Sequence, residues 1–109
     1  MRLLILFLLF AAGTVHADER LLSKGSGYVV PEGKLWIIRN APPADCRVCT
    51  ADVYVKGELS NVELNGTIFH GNFDFSFRIS EHAEVKLYPG TEIWLGDTRP
   101  ELIVTEQER

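Results

Sequence analysis

Cysteine is scarce in this chain, and nowhere does positive charge gather. Only two cysteines, Cys46 and Cys49, occur in 109 residues. That excludes a disulfide-dense mini-scaffold and a zinc ribbon, because each needs more thiols. The 11 Lys and Arg residues stand singly among 15 Asp and Glu. Nucleic acid and anionic membrane surfaces both require clustered cations, so neither is an expected partner. The chain has no H-E-x-x-H, no G-x-S-x-G and no phosphate-cradling glycine loop, which removes the commonest hydrolytic and nucleotide-binding signatures. No catalytic residue, metal site or cofactor is therefore expected, and the chain reads as non-enzymatic.

Long apolar runs are also missing, except at the N-terminus. There MRLLILFLLFAAGTVHA sets Arg2 ahead of the apolar run Leu3 to Ala12 and closes with Val15-His16-Ala17. This order of charge, short apolar core and small residues is that of a secretory signal, and the run is too short for a spanning helix. Cleavage is expected after Ala17, with the mature chain exported to the periplasm or the extracellular space and not held by membrane. The residue after Ala17 is Asp, so no lipidated cysteine is expected at the mature start. Removing 17 of the 109 residues leaves 92, and the loss of Arg2 takes the net charge from −4 to −5. A chain of that size forms one domain and buries about 60% of its unfolded surface.

Helical periodicity is absent too; short alternating runs bounded by Gly, Pro, Asn or Asp recur instead. Tyr28–Val30, Lys34–Arg39, Ala51–Lys56, Glu58–Leu64, Thr67–His70, Phe73–Ile79, Glu84–Tyr88, Thr91–Leu95 and Glu101–Thr105 read as about nine short strands. KLWIIR is apolar on both faces and reads as a central strand with Trp36 buried. Leu59 and Val62 break the alternation of their run, which points to a bulge or a helical turn. Asn65-Gly66 is the strongest hairpin signal, since both residues accept the positive φ of a type I′ turn; Gly71-Asn72 reads as a further turn. The expected fold is an all-β, single-domain β-sandwich of jelly-roll type. Its divisions are a signal peptide at 1–17, a flexible segment at 18–26, the sandwich at 27–105 and a polar tail at 106–109.

Two segments echo each other: VPEGKLWII (30–38) and LYPGTEIWL (87–95) each set Pro and Gly ahead of a Trp-bearing strand. VPEGKLWII and YPGTEIWLGD resemble segments of small exported or phage-associated jelly-roll domains and are similar to parts of cupins. The resemblance implies a β-sandwich. It implies no cupin metal site here, because H-x-H is absent and His70 and His82 stand apart.

Cys46-Arg47-Val48-Cys49 precedes TADVYV, a strand, so the helix N-terminus that activates a thioredoxin-type thiol is missing. Residue 50 is Thr, which excludes haem attachment through C-x-x-C-H. His70 and His82 match no zinc-finger spacing. In an oxidising compartment the expected state is a local disulfide, with a thiol–disulfide redox factor as the competing reading. Phe73, Phe75 and Phe77 alternate with Asp74, Ser76 and Arg78, so the stripe reads as the core side of one strand, with a sugar-stacking platform as the alternative. In TEIWL, Ile93 and Leu95 point inward, which turns Glu92 and Trp94 outward. Tyr88 shares that outer face if its strand lies alongside. Trp94, Tyr88 and Glu92 are thus the candidate ligand or subunit interface.

Glu92, Asp97 and Glu101 lack calcium-loop spacing. Asn65-Gly66-Thr67 matches a glycosylation acceptor and is equally explained by the turn. The expected function is an exported binding or assembly module with a protein or glycan ligand and a possible homo-oligomer. A carbohydrate-binding domain and a redox factor are the alternatives.

Overall fold

Strands rich in Val and Ile need a second layer to cover their apolar face, and this chain supplies that layer by folding one sheet back on itself. The computed structural model describes residues 17–43 and 51–109. The signal segment before Ala17 and the Cys46–Cys49 pair lie outside the described residues. Among the described residues eight strands run in chain order: β1 (Ala17–Ser23), β2 (Gly27–Val29), β3 (Lys34–Arg39), β4 (Val53–Leu64), β5 (Thr67–Phe77), β6 (Glu84–Leu87), β7 (Glu92–Leu95) and β8 (Glu101–Glu108). One 3₁₀ turn, Ile79–Glu81, follows β5. All pairings are antiparallel in the order β1-β8-β3-β6-β4-β7-β2, with β5 on the other edge of β4. The result is an all-β, single-domain, barrel-like sandwich.

β4 makes the roll possible. Its C-terminal residues Val62–Leu64 pair with β6, and its N-terminal residues Val53–Lys56 pair with β7. Between them the register with β5 jumps from Gly57 to Ser60, and Leu59 takes a left-handed φ of 50°. Such a bulge bends a strand and increases its twist. Here it directs β6 and β7 into different layers. A closed core results: Leu22 of β1, Leu102 and Val104 of β8, Trp36 and Ile38 of β3, Val85 and Leu87 of β6, and Ile93 and Leu95 of β7 pack with Val53, Val55 and Val62.

The two expected strands on either side of Gly57 are thus one bent strand. Gly71-Asn72 is likewise no turn: it lies inside β5 opposite the bulge, with Gly71 paired to Ser60 at a φ of 110°. The Asn65-Gly66 hairpin forms, with φ of 48° and 88°, and the Asn65 side-chain oxygen accepts the Glu84 N–H. The two Pro-Gly segments meet through backbone hydrogen bonds, Gly90 N–H to Val30 O and Val30 N–H to Thr91 O.

Both expected loose ends are ordered, which corrects the flexible segment at 18–26 and the polar tail at 106–109. Ala17–Ser23 pairs along its whole length with β8, and β8 runs to Glu108. Two contacts explain the gain. Leu22 is fully buried, and Glu106 is buried, its carboxylate accepting the Trp36 indole N–H at 2.8 Å and the half-exposed Arg20 guanidinium at 3.0 Å. The hydrogen bond from Trp36, with help from Arg20 and against the opposing effect of burial, holds the Glu106 carboxyl below the usual carboxylate range.

A depressed folded pKa contributes stability above the unfolded value, and that contribution is lost as pH falls through the folded value. Chemical denaturation followed from about pH 6 down to about pH 2 should therefore show an acid-side loss of stability in the wild type. In Glu106→Gln that loss should be smaller, on top of lower stability near neutrality. Equal pH slopes in the two proteins would show that Glu106 is not linked to folding.

Candidate functional site

Half-exposed aromatic and charged side chains gather on the outer face of the layer formed by β2, β7 and the first half of β4. Strand alternation sends Ile93 and Leu95 into the core, both buried, and sends Glu92 and Trp94 outward. Cross-strand register then builds two rows. Trp94 stands between Tyr54 of β4 and Gly27 of β2; Glu92 stands between Lys56 and Val29. The Trp94 and Tyr54 rings stack at 5.9 Å between centroids with planes 8° apart. Gly27, having no side chain, leaves the Trp94 side of the row open. Beside the indole runs an open groove of about 580 Å³, with Lys24, Lys56, Glu92 and Asp97 at its rim. Both signs of charge therefore border a flat aromatic surface, an arrangement suited to stacking plus directional hydrogen bonds.

Trp94 and Glu92 thus share one site, and Tyr88 does not belong to it. β6 and β7 are not neighbours: they pair with different halves of β4, so the chain between them crosses from one layer to the other. Tyr88 is held elsewhere. Its hydroxyl donates to Glu63 at 3.3 Å and the Arg109 guanidinium lies 5.2 Å from its ring centre. Tyr54 takes the place foreseen for it. The signal was present in VYV, where inward Val53 and Val55 turn Tyr54 outward.

The remaining candidates divide. Glu92 and Asp97 line the groove, whereas Glu101 borders a separate cleft with Arg39 and Leu21. Among the described residues no three His, Cys, Asp or Glu side chains stand together as metal ligands. Phe73, Phe75 and Phe77 are half-buried and pack against the core, in a row of tilted rings that also takes in Phe69. His82 lies edge-on to Phe77, and His70 Nδ1 hydrogen-bonds Asn61.

Buried charge serves the fold. Asp52 accepts Arg99 Nε and Nη2, each at 3.0 Å, through one oxygen and the Ile79 N–H at 3.0 Å through the other. Arg99 also donates to the Pro42 carbonyl at 2.6 Å. Comparison with protein-family models, with curated proteins and with solved structures finds no match, so the site rests on its own geometry.

Removing one member of a buried ion pair strands the other, at a cost of about 3–5 kcal/mol. Asp52→Ala should lose that much stability in chemical denaturation. Trp94→Ala, on a half-exposed face, should lose far less. Similar losses in the two variants would mean that Trp94 is a core residue and not a surface platform.

Proposed function

We propose that the chain is an exported, non-enzymatic binding module that holds its ligand on the outer face of β2, β7 and β4. The observation that carries this reading is the Trp94–Tyr54 stack, half-exposed beside a groove with Lys56 and Glu92 in the adjoining row. Large aromatic surface left partly in water costs roughly 25 cal/mol per Å², and a ligand that covers it recovers that term. The buried carboxylates Asp52 and Glu106 are each engaged by structural partners, so ligand contacts fall to surface groups such as Lys56 and Glu92 at the groove rim.

A carbohydrate ligand is the second reading, favoured by the near-parallel rings. A sugar presents an apolar ring face to an indole and hydroxyls to flanking Lys and Glu side chains. Titration calorimetry of the mature protein against a panel of soluble oligosaccharides and extended peptides tests both readings. Binding should be lost in Trp94→Ala and weakened about tenfold in Tyr54→Ala, the loss of one aromatic contact worth about 1.4 kcal/mol. Oligosaccharide binding selects the second reading, peptide binding the general one. Binding unaffected by Trp94→Ala removes this face from consideration.

A further inference from the structure

We propose that β5 is the docking edge for a second copy of this chain, paired antiparallel with the partner's β5 about a two-fold axis at Asn72. This does not rest on the groove reading, because β5 lies on the opposite side of β4 from β7. Among the described residues β5 pairs with β4 alone, so one edge of an 11-residue strand keeps its N–H and C=O groups unpaired. Edges of that length are ordinarily protected by Lys, Pro or several charges. TIFHGNFDFSF has no Lys, no Pro and only Asp74 as a formal charge. It also carries exposed apolar surface, with Ile68 at 58% and Phe69 at 43% exposure. Phe73, Phe75 and Phe77 stay only half-buried although they pack on the core, as expected of the last strand in an uncovered layer.

The occupant follows from register. Antiparallel ladders join residues of matching orientation, so a self-pairing about Asn72 keeps inward residues opposite inward residues. Full overlap sets Thr67 opposite the partner's Phe77, Phe69 opposite the partner's Phe75 and His70 opposite the partner's Asp74. The strand's one imidazole thereby meets its one carboxylate, twice by symmetry, and the half-exposed rings meet each other. A slip of two residues either way sets Asp74 opposite Ile68 or Asn72 and loses both His–Asp pairs. The fully overlapped ladder follows the bend at Gly71 and Asn72, where Gly71 takes a φ of 110° and the Phe69 and Phe75 rings close to 5.5 Å, and it continues the sheet of one copy into that of the other.

Light scattering on the purified mature chain, with dissociation followed by dilution, tests the pairing. The wild type should be a dimer. His70→Asp places two carboxylates opposite each other at both symmetric positions and should raise the dissociation constant about tenfold or more. His70→Asp combined with Asp74→Lys sets a carboxylate opposite an ammonium at both positions and should restore the dimer. Circular dichroism melting establishes that each variant is folded; if His70→Asp is not, His70→Glu, which likewise sets two carboxylates opposite each other, should weaken the dimer similarly. A wild-type monomer at every attainable concentration overturns the proposal, as does a dimer indifferent to these changes or an assembly larger than two.

Discussion

The bulge in β4 is the constraint on which the rest of the structure depends. Side chains alternate along a strand, so Val53, Val55 and Gly57 share one face and Ser60, Val62 and Leu64 would lie on the other if the strand were regular. Looping out Glu58 and Leu59 opposite Asn72 resets the parity, and Val53, Val55 and Val62 all become fully buried. The bend costs something: Leu59 accepts a left-handed φ of 50° and its side chain is 83% exposed, a conformation disfavoured by about 1–2 kcal/mol for L residues. Local bonds hold it. The Leu59 N–H donates to Asn72 Oδ1, and the Ser60 hydroxyl donates to the Pro89 carbonyl and lies 2.9 Å from the Thr91 hydroxyl. Phe73 then covers Gly57, where a β-carbon would stand 2.6 Å from its ring.

Buried polarity is spent where the chain leaves or changes a layer. Ser60 and Thr91 join the bulge to the turn that opens β7, Asp52 joins the start of β4 to the turn after β5 and, through Arg99, to the β7–β8 connection, and Glu106 joins β8 to β3 and β1. Each group has hydrogen-bond partners for its charge or hydroxyl, as burial demands. A small core has few apolar contacts with which to fix a crossing point, so directional bonds hold these junctions. The consequence for function is that the buried carboxylates Asp52 and Glu106 are occupied by partners that hold the fold.

The sheet's alternation was legible from sequence because period-two patterns report inward faces directly. The all-β class, the central position of KLWIIR, the Asn65-Gly66 hairpin and the outward turn of Trp94 all follow from that rule. What alternation cannot report is which strands are neighbours. Tyr88 and Trp94 share a face only if the consecutive strands β6 and β7 pair. The bend in β4 separates them into two layers, and only the long-range register brings Tyr54 to Trp94. Strand β1 is not legible for a related reason: of its two leucines only Leu22 is buried, and its pairing comes from the β8 edge and the Glu106 contacts rather than from its own composition. Gly71-Asn72 carried turn chemistry, yet the same positive φ serves equally well opposite a bulge.

The two proposals bear on each other through the geometry of β4, whose opposite edges carry β7 and β5. A two-fold axis at Asn72 sets the β7-bearing half of each copy beside the β6-bearing half of the other, and the bend at the bulge turns these halves toward different layers. The two Trp94 platforms of such a dimer would therefore face in diverging directions. From β7 to its symmetry mate the order is β7, β4, β5, then the partner's β5, β4 and β7, five inter-strand steps of about 4.8 Å each along the sheet. One ligand lying flat on a groove would not span that path around a bend. The pairing would then protect the β5 edge while each groove keeps its own ligand and its own affinity.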